Sequence, residues 1–129
     1  MISLFEEAAE LQKILQAEGL EFFFVGGIAL QIWGQPRLTT DIDLTVFTEL
    51  TNEDEWIRWF LDRYKPLIGD HASTLAFARQ KRVLILQSGS NTEIDVMLGG
   101  LADLNEELRR ASIQKFTPSI SLKNALPIR

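Results

Sequence analysis

A chain of 129 residues with 46% apolar content is long enough to bury one core and has the length of a single domain, spanning 1–129. Its 13 basic and 18 acidic residues give a net charge of −5, which argues against broad electrostatic binding to duplex nucleic acid, and the lack of cysteine excludes disulfides and thiolate zinc sites. The N-terminus is acidic and amphipathic, unlike a signal peptide, and no apolar run approaches a membrane span, so a cytoplasmic location without a membrane partner is expected.

In chain order, Ser3 and Glu6 form a capping-box pair, and Leu4, Phe5, Ala8, Leu11, Ile14 and Leu15 recur at helical spacing until Gly19. Residues 21–25 read as a buried strand feeding Gly26-Gly27, and 28–33 as a short helix stopped by Gly34 and Pro36. A strand over 41–47 follows. TNEDEWIRWFLDRY then opens with cap residues and acids before an apolar stripe at Trp56, Ile57, Phe60 and Leu61, and Pro66 closes that helix. Residues 74–79, 82–87 and 92–98 read as three successive strands, a meander with turns at Gln80-Lys81 and Ser88-Gly89-Ser90-Asn91. A last helix is expected over 101–110. The tail beyond Thr117 carries weak signals, with Ser121 resembling a helix start. Trp33, Trp56 and Trp59 are expected to pack helices onto the sheet, and His71 to sit in a solvent-exposed loop.

The chemistry concentrates in residues 22–47. Successive strand residues point to opposite faces, so Asp41 and Asp43 share one face while Ile42, Leu44 and Val46 face the core. Two carboxylates held together repel and raise one another's pKa unless a cation sits between them, and hard oxygen donors suit Mg²⁺. Gly26-Gly27 stands between a strand and a helix, where backbone N–H groups and a helix N-terminus approach a phosphate closely. In TEIDVML, Asp95 alternates with Ile94 and Val96, and Glu93 shares its face. Were that strand beside the one bearing Asp41 and Asp43, three aspartates would converge. Each feature also has a plainer structural reading: a tight turn at the glycines, a cap at Asp41, an arginine partner for Asp43, a solvent-facing strand aspartate at Asp95.

The ordered set of an apolar residue and Gly26-Gly27, thirteen intervening residues, Asp41-Ile42-Asp43-Leu44, and a distant Asp95 between apolar neighbours resembles the nucleotidyltransferase (polymerase-beta-like) superfamily. The stretch VGGIALQIWGQPRLTTDIDL is most similar to the nucleotidyltransferase toxins of the abortive-infection type and to small bacterial nucleotidyltransferase-like proteins, over about residues 3–98. The resemblance implies an α/β (α+β) fold with a mixed β-sheet flanked by helices. It implies transfer of a nucleoside monophosphate from a nucleoside triphosphate to a hydroxyl of a protein, an RNA end or a small molecule. Asp41 and Asp43 would hold Mg²⁺ or Mn²⁺, and Asp95 would complete the metal site or deprotonate the acceptor. Gly26 and Gly27 would cradle phosphates, with Arg37, Thr39 and Thr40 as further triphosphate contacts. Many family members place serine where Gly27 stands, and related chains carry further C-terminal helices. Those two departures leave a non-catalytic module that binds nucleotide or protein as the alternative, and an antitoxin and a second copy of the chain as expected partners.

Overall fold

The computed structural model describes residues 4–25, 41–48, 52–100, 111–117 and 120–125. Helix α1 (Leu4–Ala17) leads into strand β1 (Glu21–Val25), and β2 (Asp41–Thr48) precedes helix α2 (Glu53–Arg63). A two-residue strand β3 (Lys65–Pro66), helix α3 (His71–Lys81), and strands β4 (Val83–Gln87) and β5 (Glu93–Gly100) follow. Strands β6 (Ala111–Thr117) and β7 (Ile120–Ala125) pair as an antiparallel hairpin. All seven strands form one sheet in the order β3-β4-β5-β2-β1-β7-β6. The β2/β5 and β1/β7 pairs are parallel and the remaining pairs antiparallel, so the sheet is mixed, as expected.

One face of this sheet makes the core. Phe22 and Phe24 of β1, Ile42, Leu44 and Val46 of β2, and Ile94, Val96 and Leu98 of β5 are buried against Leu11 and Leu15 of α1 and Ile57 and Phe60 of α2. Alternation in the strands and helical spacing in α1 and α2 thus meet on one plane. Trp56 and Trp59 pack against this core, their rings 5.5 Å apart edge to face, and the Arg63 guanidinium lies 4.3 Å above Trp59. At the edge of the core, Arg82 ends α3 in the left-handed conformation at φ 62°. Its guanidinium pairs with Glu53 at the start of α2 and donates to the Leu98 carbonyl at 3.3 Å, tying two helix ends to β5.

Three expectations change. Residues 74–79 are helical, so the meander is a helix followed by the β4/β5 hairpin. The overlooked signal is a capping box: Asp70 accepts from the Ser73 N–H at 2.8 Å, and the Ser73 hydroxyl accepts from the Asp70 N–H at 3.1 Å. This helix buries only Thr74 and Ala78, so its sequence carries no broad apolar stripe, and its helicity rests on the cap and on Ala72, Ala76 and Ala78. His71 consequently occupies the first turn of α3 instead of a loop, while remaining exposed as expected. Finally, Ser121 lies within β7, where pairing with β6 overrides its helix-start character. The expected helices over 28–33 and 101–110, the Ser3 cap and Trp33 lie outside the described residues.

Candidate functional site

The site lies on the sheet face opposite α1 and α2, where β2 and β5 begin side by side. Their parallel register sets Asp41 beside Glu93 and Asp43 beside Asp95. Because both strands alternate in phase, all four carboxylates leave the same face while Ile42 and Ile94 enter the core. The adjacency that sequence left open is therefore present.

Within this group, Asp41, Glu93 and Asp95 offer carboxylate oxygens that lie within 4.8 Å of one another. Three half-buried acids at that spacing suit a hard divalent cation. Glu93, read from sequence only as a residue sharing the face of Asp95, is a full member of the cluster. The strand alternation was its signal, obscured by a position at the very start of β5. Asp43 stands one strand away from Asp95 and acts on it electrostatically.

Asp95 bears the strain of the arrangement. Burial, together with the neighbouring Glu93 and Asp43, pushes its carboxyl up to about 7. Its Oδ1 is buried and has no hydrogen-bond partner among the described residues. A buried acceptor without a donor is costly, and a bound cation is a physical remedy. On these two observations the residues present fit a divalent metal.

Neighbouring strands extend the face on both sides. Val25, the last residue of β1, stands opposite Asp43, so Gly26-Gly27 follow in the chain directly from the strand flanking the carboxylates. Gly26, Gly27, Arg37, Thr39 and Thr40 themselves lie outside the described residues. On the other side, Gln87 of β4 pairs with Glu93 and Ile85 with Asp95, and Lys65 of β3 pairs with Gln87. A polar row Lys65, Gln87, Glu93, Asp41 thus crosses four strands. Toward the far end of the same face the character reverses. Phe23 and Phe47 bury one another edge to face at 5.7 Å, with Val25 packed beside them.

The family model of AbiEii, the nucleotidyl transferase toxin of a type IV toxin–antitoxin system, matches residues 11–116 and so includes all four carboxylates. The chain belongs to the AbiEii family. No curated protein matches the sequence. Among solved structures, an antigenic nucleotidyltransferase-like protein from Paracoccidioides brasiliensis superposes with a TM-score of 0.52 at 14% identity, over 95% of this chain. This AbiEii-family chain spans 60% of the length of that protein. The likeness establishes the nucleotidyltransferase fold. No helix among the described residues is long and apolar enough to cross a membrane.

Proposed function

We propose that this AbiEii-family chain is a nucleotidyltransferase that moves a nucleoside monophosphate from a nucleoside triphosphate to an acceptor hydroxyl, using Mg²⁺ or Mn²⁺. The observation that carries the reading is the in-register start of β2 and β5, which gathers Asp41, Asp43, Glu93 and Asp95 on one face beside the strand that runs into Gly26-Gly27.

Asp41, Asp43 and Asp95, with Glu93, are the residues that would hold the metal. When bound, a divalent ion neutralises charge on the triphosphate and on the leaving pyrophosphate. Gly26 and Gly27 are assigned to the β- and γ-phosphates through backbone N–H groups, and Arg37 and Thr40 to further phosphate oxygens. Gly27 supplies no hydroxyl, so more of the phosphate contact falls to backbone and to Arg37. Where Asp95 is not itself a metal ligand, it would receive the acceptor proton. Family membership supports a physiological role as a toxin opposed by an antitoxin.

Label transfer tests the reading. With α-labelled triphosphates and Mg²⁺ the native chain is expected to label an acceptor, and Asp43→Ala to lower transfer by at least about a hundredfold. Binding is scored separately: a triphosphate at about 100 times its dissociation constant should add roughly 2.7 kcal/mol to stability in the presence of Mg²⁺. Asp-dependent binding with no transfer to any acceptor would identify a non-catalytic module instead.

A further inference from the structure

Helix α3 passes into β4 with a single residue between them, Arg82, and that residue holds the left-handed conformation at φ 62°. Glycine takes that conformation without cost, whereas an arginine there is strained. An arginine kept at such a position needs a use for its side chain.

The hydrogen bonds supply one. In an antiparallel ladder, a hydrogen-bonded pair exchanges two N–H···O bonds. Arg82 and Leu98 extend the β4/β5 ladder one step beyond Val83 and Met97, and the Leu98 N–H donates to the Arg82 carbonyl at 2.9 Å. The return bond is not made by the Arg82 N–H, which donates to the Ala78 carbonyl and closes α3. The guanidinium takes its place. Its Nη2 donates to the Leu98 carbonyl at 3.3 Å, while its Nη1 donates to Glu53 at the start of α2. Arg82 thus completes the last rung of the hairpin and anchors that rung to a buried carboxylate.

The other end of the hairpin is tied as well. Asn91, the other non-glycine residue with positive φ among the described residues, lies in the turn before β5. There the Ser88 N–H donates to the Thr92 carbonyl at 2.9 Å, the Asn91 N–H donates to the Ser88 carbonyl at 3.0 Å, and the Ser90 hydroxyl donates to Glu7 of α1 at 2.8 Å. Glu93 and Asp95 therefore stand on a strand fastened to α1 at one end and to α2 and α3 at the other.

Fastening matters because the site pushes against itself. Alternation decides which face the acids take, but not how closely they are held. Four carboxylates at the start of β2 and β5 repel and favour parting the two strands, whereas a metal centre needs its donors held to within about 0.5 Å. At about 3.3 Å per residue, Leu98 stands roughly 10 Å from Asp95 along one strand, with Ile94, Val96 and Leu98 all buried in the core. Fixing Leu98 limits the shift open to Asp95.

We propose that Arg82 is a positioning residue for the divalent-metal site: by completing the β4/β5 hairpin and anchoring it to Glu53, it holds Glu93 and Asp95 against carboxylate repulsion at the spacing a cation requires. The inference rests on the metal reading given above. Arg82 touches neither metal nor substrate and acts through Leu98 and β5.

Mn²⁺ titration of the metal-free chain tests this without recourse to activity. Arg82→Gly keeps the left-handed turn and removes the guanidinium, and it should raise the Mn²⁺ dissociation constant about tenfold. Amide exchange along residues 93–98 should quicken in the same variant before metal is added. Arg79→Ala is the control. It breaks a pair with Asp54, 2.6 Å long, that joins the same two helices with no hydrogen bond to β5 among the described residues, so Mn²⁺ affinity should stay within about twofold of native. Because Arg82→Gly strands the buried Glu53 carboxylate, the double variant Arg82→Gly/Glu53→Gln repeats the titration with that charge removed, and the loss of affinity should persist. Native Mn²⁺ affinity in the double variant, whatever its melting temperature, would overturn the positioning role and leave the metal reading intact. An equal loss in Arg79→Ala would also overturn it, assigning the effect to helix packing. Mn²⁺ binding that is absent from the native chain, or indifferent to Asp43→Ala, would overturn the metal reading and this inference with it.

Discussion

The two faces of the sheet come from the same alternating strands but are finished in opposite ways. On the core face, apolar side chains of β1, β2, β4 and β5 meet α1 and α2 and reach complete burial. On the other face the same strands place an aromatic pair at one end and four carboxylates at the other. The first arrangement stabilises the fold by removing apolar area from water. The second assembles like charges and leaves a buried oxygen of Asp95 without a partner among the described residues, so it weakens the metal-free fold. Stability and candidate chemistry are thereby separated by the thickness of one sheet.

The sharpest way to break this contrast is a core truncation. Phe60→Ala should cost about 3–5 kcal/mol in urea denaturation, because the ring is fully buried between α2 and the sheet. A cost near zero would mean that the α2 face is not the core. Next in size is Gly99→Ala, at the aromatic end of the open face. A Cβ there would lie 3.0 Å from Phe47 Cε1 and 3.2 Å from Thr45 Cγ2, so overpacking should cost about 1–3 kcal/mol. Stability equal to native would show that this end of the face is loosely packed.

The smallest effect carries the opposite sign. In chelator, Asp95→Asn should raise the melting temperature at pH 8. Native Asp95 holds its proton up to about 7, whereas the unfolded chain releases it near 3.8. Between those values the folded state binds more protons, so the contribution of Asp95 to stability is fully present below 3.8 and declines as pH rises towards 7. The gap between variant and native should accordingly close on acidification. With Mg²⁺ present the native chain should gain stability that the variant does not. A variant less stable than native at pH 8 in chelator would show that repulsion among the carboxylates does not govern the stability of this face.

Much of this was legible from residue order alone. Alternation of acids with Ile42, Leu44, Ile94 and Val96 marks two strands, and it also declares which side chains share a face, since the period of a strand is a local property of the backbone. Helical spacing marked α1 and α2 for the same reason. The family pattern added which acids to watch. Helix α3 was not legible by periodicity, because a helix at the sheet edge that buries only Thr74 and Ala78 has no stripe to display. Strand β7 lies in the weakly signalled tail and β6 in a stretch to which residue order assigned no element; both are defined by pairing with each other and, for β7, with β1.

What sequence by itself determined, then, is the set of local periods: which segments alternate, which wind, and which face each acid takes. Only the tertiary structure decided that β2 and β5 are neighbours, parallel and in register. Pairing of strands separated by two helices, two strands and dozens of residues depends on how their apolar faces meet α1 and α2, and no local signal encodes that. From that one register follow the company of Asp41 with Glu93 and the neutral-range carboxyl of Asp95.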